Sequence, residues 1–235
     1  GTAQCLFKSF LSNRKQVVRI GNSFSKSRSF TRGVIQGSTV GSWLFILFIN
    51  SISNLDTHGK FFMYADDCVL VNEHSPNENV EDKICHDMQL TMDYLYDQRL
   101  FLNIEKTKFM IIHPPTMKVE RKKKISIKVR SRSDKELATC TIERVFKMKY
   151  LGLIIDECLK WEDHIDHIKS KLASTAGILW KLRKTIPTDT KKLIYKSLFE
   201  THLAYMITIW GSAIDTLIQP LQIIQNRALR NVYDL

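Results

Sequence analysis

The sequence predicts an α+β fold, in which antiparallel strands with packed helices are followed by a helical subdomain. Three observations lead to this prediction. Short apolar or alternating segments bounded by Gly, Pro or Asn recur through the first two thirds of the chain. Apolar residues at helical spacing dominate the last third. The 235 residues are 44% hydrophobic and 10% aromatic, which is enough apolar material for a sizeable core.

The first fifty residues combine basic turns with a glycine-punctuated segment. Residues 16–20 predict a short strand, and RIGNSFSKSRSF predicts a basic turn and a return strand. In GVIQGSTVGSWLFILFINSI, Gly33, Gly37 and Gly41 stand four residues apart and precede a continuously apolar run. Glycine lets a ligand or another backbone come close. We therefore expect a loop here that leads into a buried helix.

The stretch FFMYADDCVLV places two adjacent carboxylates inside an apolar segment. Two short strands, 61–65 and 68–71, joined at Asp66 and Asp67, predict a hairpin with an acidic tip. Burying a carboxylate without a partner is strongly unfavourable, so a compensating cation is expected. Carboxylate oxygens suit magnesium or manganese. An ordinary Asp-rich turn is the alternative.

The middle of the chain predicts a helix, a strand and a basic segment. Ser75 and Pro76 precede apolar residues spaced as on a helix, at Val80, Ile84, Met88, Met92 and Leu95. LFLNIEKTKFMII then has strand character, and two prolines end it. Nine Lys or Arg fall within 118–135, where KISIKV predicts an exposed strand or hairpin that carries positive charge.

The last third predicts one strand pair and then helices. VFKMKYLGLIID indicates two strands that turn near Gly152. The apolar stripes that follow are expected to be core, and their members are Ile165, Ile168, Leu172, Ala176 and Leu179, then Ile194 and Leu198, then Leu217, Leu221, Ile224 and Ala228.

Charge and cysteine content narrow the class of partner. Lys and Arg number 35 against 24 Asp and Glu, a net charge of +11 that favours a polyanion such as nucleic acid. Charge alone does not choose between nucleic acid and an anionic membrane surface. No apolar run approaches the roughly 20 residues of a membrane-spanning helix, so a spanning helix is not expected, and the prediction is nucleic acid with no membrane partner. Five scattered cysteines favour a reducing, intracellular location, in the nucleus or cytoplasm, and not secretion. Cys158, His164 and His167 are a weak alternative metal site.

Four segments in order carry a family resemblance. YADD in an apolar hairpin, preceded by GVIQGSTVGSWLFILFIN and followed by LFLNIEKTK and KYLGLIID, resembles the reverse transcriptases of non-LTR (LINE-like) retrotransposons. LKWEDHIDHIKSKL and IQNRALR resemble the thumb of that family. The resemblance implies a partial right-hand polymerase palm over 1–156, including a primer-grip-like hairpin, and a helical thumb-like region over 157–235.

The resemblance also implies roles for particular residues. Asp66 would be the catalytic metal ligand and Asp67 its neighbour, with Lys106 near the triphosphate as a further catalytic group. Template, nucleotide and primer contacts would come from Gln36, Gly37 and Tyr64, and the primer grip from Tyr150, Leu151 and Gly152. The complete enzyme would use two Mg²⁺ or Mn²⁺ ions, an RNA template, a DNA primer and deoxynucleoside triphosphates.

The sequence also departs from the pattern of that family. Ile35 and Ser42 stand where the family usually has Pro, and Ser51 where it has Asp. The family's other catalytic Asp lies upstream of the Gln-Gly loop, whereas no acidic residue precedes Asp56. The chain thus looks like a piece of a longer protein, and we expect it to be inactive by itself. The alternative is a non-catalytic remnant that binds nucleic acid; a metal-dependent nuclease is disfavoured, since too few further ligands surround the pair.

Overall fold

The protein was analysed as a computed structural model, which describes residues 1–30, 33–35, 37–73, 80–117, 119, 124–130 and 137–234. Helices and small antiparallel sheets alternate along the chain, and the α+β prediction is confirmed. The predictions for Gln36, Ser75 and Pro76 and for much of the basic segment 118–135 lie outside the described residues.

Eight α-helices are present in the described part of the chain. They are α1 Thr2–Leu11, α2 Thr39–Ile49, α3 Val80–Asp97, α4 Glu162–Leu182, α5 Thr188–Ile194, α6 Thr201–Ala204, α7 Ile207–Trp210 and α8 Asp215–Tyr233. A 3₁₀ turn, Asn50–Asn54, follows α2, and a wider π-helical turn, Tyr195–Glu200, joins α5 to α6. None of these helices is both long and apolar enough to cross a bilayer.

The described strands form small sheets. They are β1 Arg14–Gln16, β2 Arg19–Ile20, β3 Ser23–Phe24, β4 Arg28–Phe30, β5 Lys60–Tyr64, β6 Asp67–Val71, β7 Lys108–Phe109, β8 Lys124–Arg130, β9 Leu137–Arg144, β10 Lys147–Tyr150 and β11 Leu153–Asp156. Antiparallel pairs join β1 to β4, β2 to β3, β5 to β6 and β10 to β11, and a three-stranded sheet has the order β7-β9-β8.

The single strand predicted at 16–20 is two short strands instead. Between them, the backbone N–H of Val18 donates to Ser25 Oγ at 2.9 Å, and the Ser25 N–H returns a bond to the Val18 carbonyl. A side chain has replaced one backbone partner at this point, so the ladder is interrupted. Apart from the half-buried Arg14, both segments are exposed, and together with Arg28 on β4 their Arg14 and Arg19 form a basic surface.

The chain divides into two compact units. The first contains Gly1–Leu102 and Ser126–Cys140, and the second contains Asn103–Ile125 and Thr141–Leu235. The predicted boundary between a palm at 1–156 and a thumb-like region at 157–235 stays a prediction.

The second unit has a continuous hydrophobic core. The stripe predicted on α4 is confirmed, since Leu172 and Leu179 are wholly buried and its other three members are at most 4% exposed. On α8, Leu221 and Ala228 complete the facing surface. Burial of Leu-sized side chains contributes about 1.5–3 kcal/mol each, so this helix pair dominates the stability of the unit.

One core residue was predicted at the wrong position. Leu198 is 46% exposed, whereas its neighbour Phe199 is wholly buried. The π-helical turn places more residues in each turn than an α-helix does, so the face that meets α4 moves along the chain by one position. Helical periodicity in the sequence contains no signal for that extra residue.

Helix α2 is present, but the prediction that it is buried was wrong. Trp43 is 67% exposed and Leu47 is 71% exposed, while Gly41 and Ile49 are the buried positions of the helix. An apolar helix is normally covered on every side. Here the described residues cover one narrow side of α2 and leave a large apolar surface in water.

Candidate functional site

The acidic tip is a tight antiparallel hairpin. Strands β5 and β6 pair from Lys60 with Val71 to Tyr64 with Asp67, which leaves Ala65 and Asp66 as a two-residue turn. Ala65 has φ of 55°, a left-handed conformation that costs a non-glycine residue roughly 1–2 kcal/mol. The predicted hairpin is confirmed, with its turn one residue earlier than expected. Asp66 therefore lies in the turn and Asp67 begins the return strand, so the two carboxylates do not alternate along a straight strand.

The surroundings of this tip are exposed. Tyr64 is 66% exposed, and both aspartates are exposed as well. On β5, Phe61 and Met63 are half-buried, while Phe62 on the opposite face is 54% exposed. The expectation of a buried strand was wrong, and the carboxylates carry no burial penalty. Among the described residues neither the Asp66 nor the Asp67 carboxylate takes part in a hydrogen bond or ion pair.

The other end of β5 is fixed by a carboxylate that the sequence analysis missed. Asp87 on α3 is wholly buried, and its two oxygens accept the backbone N–H groups of His58 at 2.9 Å and of Gly59 at 3.0 Å. Burial raises the pKa of Asp87, but these bonds and those from the His58 and His86 rings outweigh it, so the pKa is below its usual value. Asp87 lies three residues after Ile84, on the apolar side of the predicted helix; a carboxylate there was the available signal.

The glycine-rich segment before α2 is a tight helix cap. Gly37 has φ of 82°, and Ser38 Oγ accepts the N–H of Gly41 at 3.0 Å, which satisfies a free donor of the first turn. A Cβ on Gly41 would lie 2.6 Å from Ser38 Oγ and 3.0 Å from the Ile35 carbonyl. The predicted close backbone approach is thus present at Gly41.

The second unit contains the hairpin predicted around Gly152. Strands β10 and β11 pair from Lys147 with Asp156 to Tyr150 with Leu153. The two turn residues, Leu151 with φ of 45° and Gly152 with φ of 86°, are both left-handed, as a type I′ turn requires. The hairpin itself is therefore confirmed.

A tyrosine from the helical region holds this turn. Tyr205 Oη donates to the Leu151 carbonyl at 2.6 Å, and a Cβ on Gly152 would lie 3.1 Å from the Tyr205 ring. Trp210, which is 1% exposed, donates through Nε1 to the Tyr205 carbonyl at 2.8 Å. Contacts between distant parts of the chain thus determine where the Leu151-Gly152 turn lies in this unit.

Asp156 organises the connection from β11 to α4. Its carboxylate accepts three backbone N–H groups, from Cys158 at 3.0 Å, Lys160 at 3.1 Å and Trp161 at 2.9 Å. Burial raises the pKa of Asp156, but the three hydrogen bonds lower the pKa by more than burial raises it. The pKa therefore lies below its usual value. Leu159 and Trp161 have positive φ in this connection, and the bonds to Asp156 offset that strain.

Lys106 lies in a turn instead of the predicted long strand. Asn103 Oδ1 accepts the Lys106 N–H at 3.2 Å, and the Thr107 hydroxyl donates to the Asn103 carbonyl at 2.8 Å. These side-chain bonds replace strand pairing, so β7 begins only at Lys108. Lys106 itself is exposed.

The structure joins some of the predicted residues and leaves others in separate units. Tyr64, Asp66 and Asp67 belong to one hairpin of the first unit, which also contains Gly37. Lys106 and the Tyr150–Gly152 turn belong to the second unit.

The weak alternative of a Cys158, His164 and His167 metal site is not supported. In the described part of the chain these three side chains do not form a group with metal-ligand spacing. His164 is buried instead, and its Nδ1 accepts the Ile154 N–H at 3.3 Å. Its ring lies between Trp161 and Trp210, with centroids 6.4 and 5.9 Å away. His164 is therefore a structural residue that links β11 to α4.

The position of His164 predicts a pH-dependent stability. Burial lowers the pKa of His164, and positive charge from His167 and Lys171 lowers it further. The unfolded chain thus takes up the proton more readily, so the stabilisation is complete above about pH 6.5 and is lost as the pH falls toward the lower folded-state pKa. We expect the thermal midpoint to fall between pH 7.5 and 5.5, and to fall less in His164→Gln. Equal losses in both proteins would contradict this assignment.

Comparison with known proteins identifies the family of the chain. The sequence profile described as reverse transcriptase (RNA-dependent DNA polymerase) matches residues 1–155. The chain therefore belongs to the reverse transcriptase family.

Curated relatives place it among the LINE-like members, as the resemblance implied. It is 26% identical over 232 residues to a probable RNA-directed DNA polymerase from transposon X-element of Drosophila melanogaster, covering 96% of this chain and 24% of the relative. It is 22% identical over 237 residues to the RNA-directed DNA polymerase from mobile element jockey of Drosophila funebris, covering 97% and 24%. The chain thus spans about a quarter of the length of these relatives. No solved structure gives a significant match.

Proposed function

We propose that the chain is part of an RNA-directed DNA polymerase of a non-LTR retrotransposon, with Asp66 and Asp67 as metal ligands. The observation that carries this proposal is the exposed two-residue turn, whose two adjacent carboxylates form no hydrogen bond or ion pair with the described residues. Oxygen donors of this kind fit magnesium or manganese, which usually bind one or two carboxylates together with substrate phosphates. A pair of such ions, when bound, would activate the primer hydroxyl and stabilise the leaving pyrophosphate.

The remaining residues would position the substrates. The exposed Tyr64 ring, beside the carboxylates, would contact the primer end and the incoming deoxynucleoside triphosphate, and Gly37 would let the template approach the backbone. Lys106 would neutralise or protonate the departing pyrophosphate. The Tyr150–Gly152 turn, held by Tyr205, would grip the DNA primer strand against the RNA template.

We further propose that residues 1–235 bind nucleic acid but do not polymerise by themselves. The family's second catalytic Asp has no counterpart before Asp56 in this sequence. The net charge of +11 and the exposed basic strands β1 to β4 favour contact with phosphates. The same positive charge is the observation that favours the alternative function, a non-catalytic remnant that binds nucleic acid.

Two assays test these proposals together. The intact reading frame that contains these residues is expected to extend a DNA primer on an RNA template when Mg²⁺ or Mn²⁺ is present. The 235 residues alone are expected to bind the same duplex, with an affinity that falls steeply with salt and is unchanged by Asp66→Asn. Extension by the 235 residues would refute their inactivity. Salt-independent binding would refute the phosphate-contact proposal, and no extension by the intact protein would favour the remnant.

A further inference from the structure

Two histidines and a buried aspartate lie together at the start of β5. His58 belongs to the loop before the strand, whereas His86 and Asp87 belong to α3. Asp87 Oδ1 lies 2.9 Å from His58 Nδ1 and 3.3 Å from His86 Nδ1. The three ligand atoms all lie within 4.8 Å of one another. We propose that these side chains bind one divalent transition-metal ion of the zinc type.

The spacing of the ligand atoms fits this class of ion. Zinc binds His nitrogen and carboxylate oxygen at about 2.0–2.2 Å, so two ligands of a tetrahedral site lie roughly 3.3 Å apart. The distances from Asp87 to the two rings, 2.9 and 3.3 Å, are close to that value. The two rings meet edge to face, with centroids 4.9 Å apart and planes at 77°, so they do not stack in a way that would block a shared ion.

The aspartate is fixed in place before any ion binds. It is wholly buried, and the His58 and Gly59 backbone N–H groups bond to its two oxygens. A carboxylate has about four acceptor positions, so one on Oδ1 is available once the rings turn toward an ion. Backbone bonds to a ligating carboxylate are the outer contacts that orient metal ligands.

The histidines supply access to the site. The His58 side chain is 47% exposed and the His86 side chain is 52% exposed, so an ion can enter from water. Each ring would give up its contact with Asp87 and carry its proton on Nε2, leaving Nδ1 to bind the ion. Three protein ligands leave a further position for water or another ligand. Imidazole with carboxylate suits zinc and its neighbours better than magnesium or calcium.

Binding here would stabilise the base of the catalytic hairpin. An ion shared by His58 and by two α3 residues ties the beginning of β5 to the helix. Strand β5 then runs from Lys60 to Tyr64, a span of roughly 13 Å at 3.3 Å per residue. The inference does not depend on the proposed polymerase activity, since it uses other residues.

Metal titration of the 235-residue chain tests the site. After treatment with a chelator, the protein is expected to bind one equivalent of Co²⁺ with the visible absorption of a four-coordinate ion, and Zn²⁺ should displace it. Zn²⁺ should also raise the midpoint of thermal unfolding. His58→Ala and His86→Ala should each weaken Zn²⁺ binding by at least about tenfold, the scale of losing a contact in a metal site.

The His58→Ala and His86→Ala variants should leave the fold intact. Both remove a half-exposed ring, whereas Asp87 is avoided because its loss would also release the loop before β5. His202→Ala, which removes a half-buried ring of the second unit, is the matched control and should bind Zn²⁺ like the unmodified chain. Absence of binding at millimolar Zn²⁺, binding that survives both histidine changes, or an equal loss in His202→Ala would each overturn the proposal.

Discussion

Replacing Asp66 by Asn in the intact protein is expected to lower RNA-templated primer extension by roughly 10³-fold. An amide keeps the shape of the turn but removes the charge that would bind the catalytic ion. The ion supplies several kcal/mol of transition-state stabilisation. Losing about 4 kcal/mol of it corresponds to that thousandfold change, because about 1.4 kcal/mol is tenfold in rate. Primer extension at saturating triphosphate, measured with Mg²⁺ and with Mn²⁺, checks the expected loss.

The control for this change lies in the same unit. Asp56 is also exposed, and it lies in the loop four residues before β5, outside the turn. Asp56→Asn removes the same charge and should leave extension within about twofold, since exposed surface changes have small effects. A comparable loss in both variants would mean that net charge, and not a ligand at the tip, determines the rate.

Replacing Asp156 by Ala is expected to destabilise the second unit by about 3 kcal/mol, because three backbone N–H groups lose a charged acceptor. The carboxylate is half-buried, and water reaches the freed groups only in part. The left-handed conformations of Leu159 and Trp161 would then lack the bonds that offset their strain. For a chain of this size, 3 kcal/mol corresponds to a thermal midpoint lower by about 10 °C. Denaturation in guanidinium chloride measures the same loss independently.

Two further variants separate the hydrogen bonds from the charge. Asp156→Asn retains an acceptor oxygen and should cost less than the Ala variant. Asp166→Ala removes a carboxylate that is 78% exposed and 4.0 Å from Lys169, so its effect should stay within about 0.5 kcal/mol. If Asp156→Ala were as mild as Asp166→Ala, the connection to α4 would be fixed by packing alone.

Acid should remove the stabilisation that Asp87 and Asp156 contribute to the fold. The pKa values of Asp87 and Asp156 lie below the usual value of about 3.9. Their stabilisation is therefore complete above that pH and is lost as the pH falls through the lower folded-state pKa values. The stabilisation that depends on neutral His164 is lost at higher pH, below about 6.5. The pH ranges of the histidine and aspartate effects can therefore be separated in one pH series.

Helical periodicity predicted which side of a regular helix is buried. The α4 stripe is buried as expected, and on α8 Leu221 and Ala228 are buried while Leu217 and Ile224 are partly buried against the same core. A 3.6-residue repeat determines which side of a regular helix meets its neighbour. The same rule placed Leu198 in the core wrongly, since the π-helical turn changes the repeat. It also predicted a buried α2, although burial depends on the neighbours of the helix and not only on its composition.

The candidate site was predicted in part, for similar reasons. The hairpin and its carboxylates follow from a short local pattern, so the turn was placed within one residue. Asp87 and Tyr205 were missed because each acts on a backbone segment far away in sequence, at His58 and at Leu151. Local patterns do not indicate such distant partners. Asp156 acts locally, and an Asp whose side chain can bond a non-helical N–H two residues later is a recognisable turn signal in the sequence.

The packing of β11 against the helical core has a practical consequence for protein expression. The profile match ends at residue 155, yet Leu153 is 4% exposed within a core that also contains Trp210 and Leu221. A fragment ended at the limit of the match would keep Leu153 and Ile155 of β11 and lose the helices that cover them, exposing apolar surface that promotes aggregation. Soluble fragments should therefore retain the helices through α8, even though those helices lie beyond the profile match.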